Sequence, residues 1–141
     1  MKLIRVSTSE TVALSDGFLW SDEFDWNGIE QNIKPAIDGT PIIQEGKWKS
    51  GRPITLNADK NMAWLKRHIV SQLKDFSLLQ GENFILAFEY PHDRRQFNVK
   101  FHHAANAIEA RPVKDHPSVS EDDYYNVTLR FIEVGELYSG N

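Results

Sequence analysis

Tyr124-Tyr125-Asn126-Val127-Thr128-Leu129-Arg130-Phe131-Ile132-Glu133-Val134 decides the fold. Every second residue is large and apolar. Tyr125, Val127, Leu129 and Phe131, with Glu133 continuing the row, share one face; Asn126, Thr128, Arg130 and Ile132 share the other. Successive side chains of a strand point to opposite sides of the pleat, so this period of two predicts a long strand over 124–134 with one face in a core. A helix would need its apolar residues three and four apart, and they are not.

Working upstream, the same period recurs. Gln96 to His103 alternates with Phe97, Val99 and Phe101 on one face, and Ala107 to Val113 predicts a further strand. Asn83 to Tyr90 is an apolar run suited to a buried strand, joined to the next by a Pro91-His92-Asp93-Arg94 loop. Lys114 to Asp123 reads as a polar loop around Pro117.

Before this β region lies the only convincing helix, predicted from about Asp59 to Phe76. Met62, Leu65, Ile69, Leu73 and Phe76 fall on one face, and Asn57 or Asp59 can cap the N-terminus. Such a helix is about 27 Å long. The N-terminal third reads as short strands: Lys2 to Val6, Thr11 to Leu14 and part of the aromatic, acidic segment Phe18 to Trp26. Ile29 to Ile37, interrupted by Pro35, turns at Asp38-Gly39. Pro41 to Lys49 and Pro53 to Leu56 read as two strands joined by a Ser50-Gly51 turn. Their prolines mark strand starts or sheet edges. Residues 135–141 read as a loose tail. The expectation is one domain over 1–141 (mainly β with one α-helix, α+β), built as a β-sandwich or open β-barrel flanked by the helix at about 59–76.

Composition narrows the chemistry. The 141 residues hold no cysteine, so disulfides, thiolate metal sites and cysteine nucleophiles are excluded. The formal charge of −4 argues against a whole-domain nucleic-acid binder. No apolar run is long enough for a transmembrane helix or a signal peptide, which predicts a folded protein made in the cytoplasm.

Catalytic signatures are missing. There is no GxSxG, GxGxxG or GxxxxGK[ST] motif. His102 and His103 are adjacent, so on a regular strand they point to opposite faces and cannot share a metal. His68 and His116 have no partner at metal-binding spacing. Carboxylates cluster at Asp22, Glu23 and Asp25 and again at Asp115, Glu121, Asp122 and Asp123. Such groups can serve glycoside hydrolysis or hold Ca²⁺, but neither matches an EF-hand, and a solvated face is the simpler reading. A negative surface facing a channel, which would repel DNA phosphates, is a third. The expectation is no enzyme and no cofactor.

Trp64 is the more useful clue. At 100° per residue it falls away from the apolar stripe, among Lys60, Arg67, His68 and Ser71. A large aromatic there is either covered by another part of the chain or an anchor for a second protein, since Trp and Arg are enriched at interface hot spots. Trp64, Lys60, Arg67, His68, Arg94 and Arg95 are therefore the candidate subunit-interface residues. The basic groups would bridge to acidic groups of neighbouring subunits.

Several stretches resemble the small tail proteins of long-tailed bacteriophages and prophages. These are Ile42-Ile43-Gln44-Glu45 followed by Gly51-Arg52-Pro53-Ile54-Thr55-Leu56, then Arg94-Arg95-Gln96-Phe97-Asn98-Val99-Lys100-Phe101, Ala107 to Val113, and Tyr124 to Val134. Together they span Ile42 to Val134. The resemblance implies a distal-tail, tail-tube-like or tail-tip ring subunit without catalytic residues. Its partners would be copies of itself in a ring, often a hexamer, and other phage tail proteins. DNA would pass through a lumen without specific binding, and no membrane is involved. The chain would sit in the host cytoplasm before assembly and in the virion tail after it. The alternative is a monomeric β-sandwich module binding a ligand such as a carbohydrate on an aromatic platform of Trp20, Trp26 and Trp48. An acid–base enzyme using Asp22, Glu23 or Asp25 is the third reading.

Overall fold

The computed structural model describes residues 1–15, 17–47, 51–58, 64–113, 120 and 122–134. It is mainly β with one α-helix, and its antiparallel sheet is not closed into a barrel.

The long strand predicted at the C-terminal end organises the sheet. In chain order the strands are β1 (Lys2–Arg5), β2 (Thr11–Ala13), β3 (Leu19–Trp20), β4 (Ile29–Pro35), β5 (Pro41–Lys47), β6 (Pro53–Asn57) and β7 (Trp64–Lys66). After helix α1 (Arg67–Ser77) come β8 (Phe84–Ala87), β9 (Gln96–Phe101), β10 (Ile108–Pro112) and β11 (Tyr124–Glu133). The main path runs β2-β1-β8-β9-β11-β6-β3. Along β11, residues 125–129 pair with β10 and residues 131–133 with β9. Residues 124–126 also pair with β7 and residues 129–132 with β6. One strand thus contacts four others, and its inward row is the densest part of the core: Tyr125, Val127, Leu129 and Phe131 are all buried.

Aromatic contacts join the helix to this sheet. Phe76 of α1 stacks on Phe84 at 5.3 Å, Phe84 meets Phe101 edge-on at 5.3 Å, and Phe101 lies 5.0 Å from Phe131. Each such pair adds roughly 0.5–1.5 kcal/mol beyond the area it buries.

The helix starts later than its periodicity predicts. Trp64–Lys66 form strand β7, with Asn126 opposite Trp64 and Tyr125 opposite Leu65. Leu65 is buried, but by strand alternation. The α1 helix begins at Arg67, whose amide donates to the Asp123 carbonyl at 2.8 Å. Lys66 at the cap is extended and makes no side-chain capping bond. Asn57, one of the two expected caps, ends strand β6 opposite Leu19, and the other, Asp59, lies outside the described residues. Leu73 and Phe76 are buried on the predicted stripe, with Ile69 packed partly against the core.

The two strands around Gly51 do not form a hairpin. Instead β5 pairs with β4 in a separate two-stranded sheet, while β6 joins the main sheet between β11 and β3. Likewise β9 stops at Phe101, and His103–Ala105 form a short 3₁₀ turn, so His102 and His103 are not strand residues. The expected tail, 135–141, lies outside the described residues.

Candidate functional site

Two surface features stand out, and they follow one another in the chain. The first is the β4–β5 hairpin, all of whose strand residues are exposed. Its turn follows from local chemistry. The Ala36 amide donates to the Thr40 carbonyl at 2.8 Å, and the Gly39 amide donates to the Ala36 carbonyl at 3.0 Å. Gly39 sits at φ +88°, the left-handed conformation a three-residue hairpin loop needs there. The Thr40 amide donates to the Asp38 carboxylate at 3.0 Å, and that bond holds the Asp38 carboxyl below its ordinary range.

The register sorts the arm's side chains into two faces. Directly opposed residues share a face, so Ile29/Lys47, Gln31/Glu45, Ile33/Ile43 and Pro35/Pro41 form one, and Glu30/Gly46, Asn32/Gln44 and Lys34/Ile42 the other. The first face is largely apolar around one polar pair, in which Gln31 donates to Glu45 at 2.7 Å. Ile33 and Ile43 are 60% and 54% exposed, so no described residue covers this face at its centre.

The second feature is a groove of about 530 Å³ between the Phe18–Phe24 segment and the β8–β9 loop, lined among others by Leu19, Trp20, Phe24, Tyr90, His92 and Arg94. Its rim is held by Arg95, which donates to Asp93 at 2.9 and 2.8 Å and to Glu23 at 2.6 Å. This clamp ties the acidic segment to the β8–β9 loop. The Arg95 guanidinium holds the Asp93 carboxyl down at about 2, and the two carboxylates raise the Arg95 pKa in turn. The floor is Trp20, stacked on Phe88 at 5.2 Å, with the Arg52 guanidinium 4.5 Å and the Arg95 guanidinium 5.2 Å from the ring centre. The indole Nε1 of Trp20 and the Nε of Arg52 are buried and make no hydrogen bond among the described residues. Phe24 and Leu19, at 91% and 67% exposed, stand at the groove's edge.

The predicted interface residues divide between two places. Trp64, Arg67 and His68 lie at the β7–α1 junction and are exposed, not on one helix face as expected. Trp64 packs 5.9 Å from Tyr124, and Arg67 donates to the Tyr125 hydroxyl at 2.5 Å. Arg94 and Arg95 lie at the groove, Arg95 engaged in the clamp and Arg94 exposed without an ion pair among the described residues. Lys60 lies outside the described residues.

Two carboxylates of the first acidic cluster have partners within the chain. Asp22 accepts from the Thr55 amide at 2.8 Å and the Thr55 hydroxyl at 2.9 Å, and Glu23 closes the clamp. Among the described residues no three metal-ligating side chains come together, and no helix is long and apolar enough to cross a membrane. Of the three tryptophans of the expected platform, Trp20 is a core residue that also floors the groove, Trp26 is half-buried and Trp48 lies outside the described residues.

The sequence reading missed the arm as a feature. Its alternation is visible, but an alternating strand is normally half-buried, and only the pairing and exposure show that this one packs on no other described strand. No protein-family model, curated protein or solved structure matches this chain, so its functional reading rests on its own residues and geometry.

Proposed function

We propose that the chain is a structural subunit of a bacteriophage or prophage tail, working by assembly with copies of itself in a ring and with other tail proteins. The observation that carries the assembly half is the uncovered arm. An isolated two-stranded hairpin is at best marginal in water, and an apolar face on one needs a partner surface. A closed ring needs one heterologous contact repeated at a closing rotation, and a projecting arm supplies such a contact. Sheet edges unpaired among the described residues, such as the outer side of β10, offer backbone pairing as a further one.

The tail half rests on the resemblance of the sequence segments. The described parts of four of them fall on β6, β9, β10 and β11, and three of these strands pair directly with β11. The fifth, Ile42 to Glu45, falls on β5 in the separate arm. The test is mass spectrometry of purified tails from particles released by the strain that encodes the chain. The chain is expected in the tail fraction at a fixed multiple of a single-copy tail protein. Its absence from intact tails would overturn the assignment.

A further inference from the structure

We infer that the groove between the Phe18–Phe24 segment and the β8–β9 loop binds a neutral saccharide. This binding is independent of assembly, and each can fail without the other.

The groove has the build of a ligand site. Its volume of about 530 Å³ falls within the roughly 300–1,000 Å³ of small-molecule clefts. Its two walls are distant in sequence, and the bonds from Arg95 to Glu23 and Asp93 fix one against the other. The cleft is therefore preformed, and a ligand does not have to order it on binding.

Charge narrows the ligand first. The acidic and basic side chains in the lining are Glu23, Asp93, Arg94 and Arg95, two of each sign, which cancel. A cleft without net charge has no field that draws in a phosphate, a carboxylate or a cation.

Hydrogen bonding narrows it further. Asp93 uses both carboxylate oxygens on Arg95. Glu23 uses only Oε2 there, and its Oε1 makes no hydrogen bond among the described residues. On the opposite wall Arg94 is exposed and makes no ion pair among the described residues. The groove thus offers an acceptor from one wall and donors from the other. A neutral ligand that meets both carries hydroxyl groups, each of which donates and accepts. A proline-rich peptide is the other neutral ligand that aromatic grooves take, but proline has no N–H and would leave the Glu23 acceptor unmet.

The aromatic side chains supply the remaining contact. Trp20 is not the stacking surface, because its ring lies against Phe88 with two guanidinium groups over it. Phe24 is uncovered at the edge, and Tyr90 and His92 stack on each other at 5.6 Å across from it. A pyranose ring has one face of C–H groups and a rim of hydroxyls. Its C–H face can cover Phe24, removing apolar surface from water, while its rim reaches the Glu23 and Arg94 groups.

The test is saturation-transfer NMR on the full chain. The probes are linear tetrasaccharides of glucose, galactose, rhamnose and N-acetylglucosamine. A galacturonate tetrasaccharide and a proline decapeptide are the comparison ligands. At least one neutral tetrasaccharide is expected to bind with Kd of about 1 mM or tighter. That affinity is expected to stay the same between about 0.1 and 1 M salt, since no charge is paired. Phe24→Ala and Arg94→Ala are each expected to weaken it about tenfold. Both positions are exposed, so both variants are expected to melt like the wild type. Leu78→Ala, exposed and outside the groove lining, is expected to bind like the wild type. Four results would overturn the inference: no neutral tetrasaccharide binding at millimolar concentration, tighter binding of the galacturonate, tighter binding of the proline peptide, or saccharide binding that Phe24→Ala and Arg94→Ala leave unchanged. The composition of purified tails decides the tail reading separately.

Discussion

Arg95 shows how one side chain shapes a surface. Its bidentate bond to Asp93 and its bond to Glu23 join two segments distant in sequence, and its guanidinium also covers Trp20. The pH dependence follows from the sign of the Asp93 shift. A carboxyl held at about 2 when folded, against 3.8 otherwise, stabilises the fold above about pH 4 and loses that contribution as pH falls through 2. With rim exposure screening the pair, the contribution is about 1 kcal/mol. Denaturant unfolding should therefore show Asp93→Asn about 1 kcal/mol less stable than wild type at neutral pH, with the gap closing near pH 2. An equal gap at both pH values would contradict the clamp. None of this was legible in the sequence. Arg94-Arg95 reads as a basic pair, and only the β8–β9 loop decides that one arginine turns to the clamp while its neighbour stays exposed.

At the scale of elements, the pattern of apolar residues was a good guide where strands are long and a poor one where they are short. The ten-residue β11 shows its period of two plainly, and its buried row is the one expected from the sequence. The three-residue β7 cannot display a period. Leu65 fits a helical stripe and a strand equally well, so periodicity alone carries the helix back over Trp64. Pairing with β11 and the bond from Arg67 to Asp123 set the true start. The consequence for Trp64 is testable. It packs on Tyr124 as a strand residue, 37% exposed, and remains a proposed interface residue. Trp64→Ala should lower stability by about 1 kcal/mol, leave helix content by circular dichroism unchanged, and weaken assembly. A variant unchanged in both stability and oligomer size would remove Trp64 from the account.

For the whole molecule, the division of labour is clear. The main sheet and α1 bury one continuous core, while the arm contributes no buried strand residue. Sequence logic explains why the body folds, because propensity, period and aromatic packing agree there. The same logic offers no reason among the described residues for isoleucines on the arm, and the assembly proposal rests on that mismatch. Fold class was legible because alternation dominates the last third of the chain. The assembly surface was not, because exposure depends on what each strand pairs with. Native mass spectrometry of the wild-type chain across a concentration series decides whether it assembles. A discrete species at a fixed multiple of the chain mass, growing with concentration at the expense of monomer, is expected. Monomer alone at every concentration, up to about 1 mM, would contradict it.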